Sequence, residues 1–121
     1  MTLTVGMITV DSTDPIPLAR WWAERIGGTV IAENDGFFVM VSGPAAGAPV
    51  LGFQQVDDPT PGKNRIHLDL TTTDIDAEVE SLVAAGATRI ADHELGDFAW
   101  VTLADPDGNQ FCVSLAHEPS A

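Results

Sequence analysis

The chain has 121 residues, 45% of them hydrophobic, which suits one globular domain burying roughly two-thirds of its unfolded surface. Eighteen acidic residues against five basic ones give a formal net charge of −13, which disfavours nucleic acid and anionic membrane as partners because both need a basic face. No apolar run is long enough to span a bilayer, no basic segment opens a signal peptide, and the lone Cys112 excludes an intramolecular disulfide, so the expected compartment is the cytoplasm. The surplus of acid has two readings: solubility, in particular in a salt-adapted host, or attraction of a cationic ligand.

In chain order, LTVGMITV alternates like a strand and STDP opens a helix, with Asp14 as N-cap and Pro15 at the first helical position. Leu18, Trp22 and Ile26 form its apolar stripe, which leaves the adjacent Trp21 for a groove or a subunit contact; Gly27-Gly28 ends the helix. TVIAE, FFVMV and PVLGFQQV follow as short strands, the first two joined by the hairpin signal NDG. The turn-rich DDPTPGKN then leads to RIHLDLTTT and a second helix, capped by Asp74, with Ile75, Val79, Leu82 and Val83 inward. ATRIAD, FAWVTLA and QFCVSLA close the chain, with the turn DPDGN before the last. His93, in ADHELGD, reads as a solvated loop residue and His117 as part of a polar tail.

The two halves repeat. An ungapped shift of sixty positions lays Thr13-Asp14 on Thr73-Asp74, Gly36 on Gly96, Phe38 on Phe98, Met40 on Trp100 and Val41 on Val101. Each half is a βαβββ module, one over about 1–57 and the other over about 64–117, together an α+β fold with helices on one face of each sheet. Strand parity puts Leu68/Leu70, Val101/Leu103 and Phe111/Val113/Leu115 under the helices. The opposite rows are mixed: Met7, Thr9 and Asp11; Phe38 and Met40; Gly52 and Gln54; His67 and Asp69; Phe98 and Trp100; Cys112 and Ser114. Large apolar side chains on an otherwise polar face indicate a pocket or a partner there.

Paired modules with VDSTDP and TTTDID at the helix starts, and above all the stretch PGKNRIHLDL…DIDAEVESLVAAGA…LADPDGNQFCV, resemble the glyoxalase-like domains of the vicinal oxygen chelate superfamily over essentially the whole chain. The resemblance implies curved half-barrel sheets and ligand sites enclosed by two modules, often across a homodimer. It also implies metal ligands at four positions, occupied here by Met7, Gly52, His67 and Cys112. Glycine offers no donor and methionine only a weak, soft one, so no metal and no other cofactor is expected.

His67 with Asp69 is the candidate acid–base pair, although the same two residues also read as an ordinary hydrogen bond at a former ligand position. Cys112 reads as a small filler before a nucleophile, since nothing nearby would lower its pKa. Met7, Phe38, Met40, Gln54, Phe98, Trp100 and Cys112 are the candidate ligand-binding residues. The resemblance supports a metal-free binding module that sequesters a cationic or aromatic small molecule, as bleomycin-resistance proteins do. The alternative is a glyoxalase-like lyase, isomerase or epimerase working through His67 and Asp69, without metal or with an altered site.

Overall fold

A computed structural model describes residues 5–116, so His117 lies outside the described residues. The chain divides into two compact units, the first ending at Thr60 and the second beginning at Pro61. In the first, the order is β1 (Met7–Ser12), α1 (Pro15–Ile26), β2 (Thr29–Ala32), β3 (Phe38–Ser42) and β4 (Val50–Gln55). The second holds β5 (Asp69–Thr72), α2 (Ile75–Ala84), β6 (Thr88–Leu95), β7 (Phe98–Ala104) and β8 (Gln110–Leu115). Each unit forms a mixed four-stranded sheet in which the first strand lies parallel to the last, in the orders β1-β4-β3-β2 and β5-β8-β7-β6. The architecture is therefore α+β, built from two βαβββ modules.

Periodicity explains which surfaces are covered. Leu18, Ala19, Trp22 and Ala23 of α1 are buried, as are Val39 and Val41 of β3 and Leu51 and Phe53 of β4. The helix packs against those two strands. Gly27 ends α1 in the left-handed region (φ 66°), where a β-carbon would be strained. In the second unit Val79 and Leu82 of α2 meet a sheet face made by Val101, Leu103, Phe111 and Val113, all buried. Val83 and Leu115, read from the sequence as inward-facing, are instead about half exposed: Val83 sits at the end of α2 next to Ala84 and Leu115 at the end of β8. Trp21 is half-buried, edge-to-face with Trp22 at 5.1 Å and beneath the Arg25 guanidinium at 5.8 Å.

Three local expectations change. The β5 strand is shorter than RIHLDLTTT suggests, and His67 lies just before it, yet the ladder continues because Cys112 N–H donates to the Leu68 carbonyl at 2.9 Å. The sixty-residue offset holds for the parallel pairs, where Thr9 faces Gly52 as Asp69 faces Cys112. It fails in the third strand of each unit: Met40 faces Gly52 but Thr102 faces Cys112, an offset of sixty-two. Trp100 therefore occupies in its sheet the position that Phe38, and not Met40, occupies in the first, because the β6–β7 hairpin is longer than β2–β3. Finally, β6 runs on through Leu95, so His93 is a strand residue and not part of a loop.

Candidate functional site

The sheet face away from α2 carries the chemistry of the second unit. Register places Asp69, Cys112 and Thr102 in one cross-strand row, and His93, Trp100, Ser114 and Thr71 in the next. His67 Nε2 lies 3.3 Å from Asp69 Oδ1, with the two side chains 44% and 73% exposed. That exposure lets water compete, so the pair itself contributes roughly 0–1 kcal/mol. Its chemical significance is orientation: the carboxylate holds the imidazole through one of its two ring nitrogens. Cys112 is half-buried, its Sγ 3.4 Å from the Thr102 hydroxyl. Donor atoms of His67, Asp69 and Cys112 all lie within 4.8 Å of one another.

The approach to β5 is fixed by one side chain. Asn64 donates from Nδ2 to the carbonyls of Ile66 (2.7 Å) and Gln110 (3.0 Å), while its Oδ1 accepts the Gln110 N–H at 2.7 Å. This amide does the work of a strand residue and holds the segment leading to His67 alongside β8. At the same end of β8, buried Asp105 accepts from the backbone N–H groups of Asp107 and Asn109, each at 2.9 Å, and closes the DPDGN turn.

The next row is aromatic. His93 stacks on Trp100, with ring centroids 4.9 Å apart and planes 17° from parallel, and the Phe98 ring lies 5.6 Å from that of Trp100, tilted by 32°. Phe98 is 40% exposed, and Trp100 and His93 are half-buried. Sequence reasoning missed His93. The signal was present: a two-residue Gly96-Asp97 turn pairs Leu95 with Phe98, which sets His93 opposite Trp100. An open groove of about 450 Å³ at the N-terminus of α2 is lined by His93 and Trp100 together with the apolar Ala99, Val101 and Leu115, the acids Asp74, Asp76 and Glu94, and the ion pair Arg89–Asp92.

In the first unit the corresponding face carries Met7, Thr9, Asp11, Phe38, Met40 and Gln54 around Gly52. Gly52 is buried, and a β-carbon added there would meet Met7 Sδ at 2.8 Å, Phe38 Cζ at 2.9 Å and Thr9 Oγ1 at 3.0 Å. The space for a side chain at this position is thus already taken by neighbours.

The model of the glyoxalase-like domain family matches residues 7–114. The chain belongs to that family, within the vicinal oxygen chelate superfamily. A glyoxalase/bleomycin resistance protein/dioxygenase family enzyme from Burkholderia phytofirmans PsJN superposes with a TM-score of 0.75 at 21% identity, covering 95% of this chain and all of the other. TnmS3, an antibiotic binding protein from Streptomyces sp. CB03234, gives 0.70 at 20% identity, covering 96% and 98%. Oxidase ChaP-H1 gives 0.68 at 17% identity, covering 98% and 100%. At these identities the likeness carries the fold alone. No curated protein matches the chain. The four-ligand metal set of the superfamily does not fit the residues of this glyoxalase-like domain, since Gly52 has no donor and its surroundings leave no room for one.

Proposed function

We propose that this glyoxalase-like protein binds a planar, cationic aromatic small molecule and sequesters it. The observation that carries the reading is the His93–Trp100–Phe98 row, a stacked and partly exposed aromatic surface on the sheet face that α2 does not cover. The net charge of −13 favours a cationic ligand, and an antibiotic-binding protein shares the fold. Cys112, His67 and Asp69 supply the polar neighbours of the row. On the first unit's sheet face opposite α1, the same reading assigns ligand contacts to Met7, Phe38, Met40 and Gln54.

The test is a thermal-shift and tryptophan-quenching screen of cationic polyaromatic antibiotics beside neutral analogues, 2-oxoacids and thioesters. Cationic aromatics are expected to stabilise the protein, and Trp100→Ala to weaken the best of them about fivefold or more, the equivalent of roughly 1 kcal/mol of stacking. An unchanged affinity in Trp100→Ala would overturn the assignment. The His67–Asp69 contact favours a second reading, a lyase, isomerase or epimerase that moves a proton beside a carbonyl. Under that reading 2-oxoacids or thioesters are turned over, and His67→Ala costs roughly a hundredfold or more in rate. A binding module loses only modest affinity.

A further inference from the structure

The geometry points to His93 as a pH-dependent gate on the aromatic row, one that releases a bound cation on acidification. The inference rests on the ligand reading above and names how that same site is regulated. Its starting point is a competition for space. The His93 ring lies 4.9 Å from that of Trp100 with the planes 17° from parallel, the placement that a planar cation stacking on the indole would take. Both side chains are half-buried. The imidazole is thus an internal ligand of Trp100, and an incoming ring must either displace it or stack on its outer side.

Charge decides how hard either route is. Imidazole is the side chain whose charge changes in the range of about pH 5 to 8. Neutral, His93 meets Trp100 through an ordinary ring contact and adds an uncharged ring to the surface that Trp100 and Phe98 form. Protonated, it gains a cation–π attraction to the indole and keeps its place over the ring. It then also carries the same sign of charge as the ligand, and like charges at stacking distance repel. A cation therefore binds the neutral form, and its arrival on the protonated form expels the His93 proton to solvent. Affinity is full where the imidazole is neutral and falls as the pH drops through its titration.

The charged groups around His93 leave that sign unchanged. On β6, Asp92 and Glu94 alternate to the opposite side of the strand from His93, and Asp92 is held by Arg89 through two hydrogen bonds. At the start of α2, Asp74 and Asp76 line the groove that His93 also lines. The cross-strand row supplies Trp100 from β7, Ser114 from β8 and Thr71 from β5, none of them charged. In the neighbouring row His67 lies against Asp69. Carboxylates ordinarily stay ionised down to about pH 5, so the acids attract a cation almost equally across the range in which an imidazole changes charge. The acids draw the ligand in, and His93 sets when it stays.

The probe is N-methylacridinium, a planar aromatic cation whose charge is permanent, with neutral acridone beside it. Titration calorimetry on the full-length protein reads the affinity, and buffers of different ionisation enthalpy read the protons released on binding. When only the neutral form binds, the apparent Kd rises as that form's population falls. N-methylacridinium is therefore expected to bind about fivefold or more weakly at about pH 5.5 than at about pH 8, with proton release at the lower pH. Acridone should change less than about twofold, since it carries no charge to repel. His93→Phe, which keeps a ring without the charge, and His93→Gln should each flatten the profile and abolish the proton release. The gate is overturned if the wild type binds N-methylacridinium equally at both pH values, if it releases no proton, or if both ligands weaken alike. A pH dependence that survives in the His93 variants and vanishes in His67→Ala overturns it as well. Should one His93 variant lose its native far-ultraviolet circular dichroism, the other decides, and the wild-type proton release needs neither. Failure of N-methylacridinium to bind at either pH sinks the ligand reading and the gate with it, whereas a bound probe with a flat profile overturns the gate alone.

Discussion

Gly52 decides more about the first unit than any residue with a side chain. Met7, Phe38 and Thr9 converge on the space where its β-carbon would stand, so Gly52→Ala must displace them. Overpacking of this kind costs about 1–3 kcal/mol. We expect a matching loss in urea denaturation, part of it restored when Phe38 is shortened to Leu in the same chain. Equal stability of Gly52→Ala and the wild type would show that the Met7 and Phe38 tips yield freely. The identity of this residue was legible at once, as was its meaning for a metal set. What could not be read was that neighbouring side chains fill the place, because parity gives the face of a side chain but not its rotamer. Asp69 shows the same gap. Its spacing from His67 marked it as a partner for the imidazole, while its closeness to Cys112 depends on β5 and β8 lying side by side in register.

The helix starts look alike in sequence and differ in the structure. Asp74 accepts the Ala77 N–H at 3.1 Å, an ordinary N-cap contact. Asp14 makes no side-chain cap bond, and prolines occupy the first turn of α1, although both residues donate their own N–H two residues back, Asp14 to Ser12 Oγ at 3.1 Å and Asp74 to Thr72 Oγ1 at 3.3 Å. Asp74→Ala should therefore cost about 0.5–2 kcal/mol and Asp14→Ala clearly less. Thermal unfolding of the two variants side by side checks the order, and a larger loss for Asp14→Ala would contradict it. Both residues were read as caps because Asp before a helix is favoured whether or not its carboxylate is used. The register slip between the two third strands has a related origin. A gap-free alignment can match Phe38 with Phe98 on composition, but hairpin length sets which residues actually face each other, and β6–β7 is the longer hairpin.

For the whole molecule, the sixty-residue repeat was the most reliable guide, since it identified both modules and the strand that opens and closes each. Assembly is a separate matter. Ile31, Phe37, Ile66, Leu95 and Phe98 are all substantially exposed on the isolated chain, and the superfamily resemblance includes sites completed across a two-fold axis, so we expect a homodimer in solution. Two chains of charge −13 repel each other, and salt screens that repulsion. Multi-angle light scattering should therefore return a dimer whose dissociation at low protein concentration becomes harder as ionic strength rises. A monomer at every salt concentration in the micromolar range would reject the expectation. Among the described residues no helix is long and apolar enough to cross a membrane.

The pairing of each module's first strand with its last has a consequence for how the protein is made. Met7 finds its register partner only at Val50, whereas β2, β3 and β4 join through nearest-neighbour hairpins. On a ribosome adding about 5–20 residues per second, β1 leaves the exit tunnel roughly two to nine seconds before β4 does. Until then it is an unpaired strand on a growing chain, and the β2–β4 meander and α1 must form without it. Both modules share this delay, and each ends it within its own sixty or so residues. Were β1 matched instead to the final strand of the chain, its wait, and its chance of pairing with another nascent chain, would roughly double.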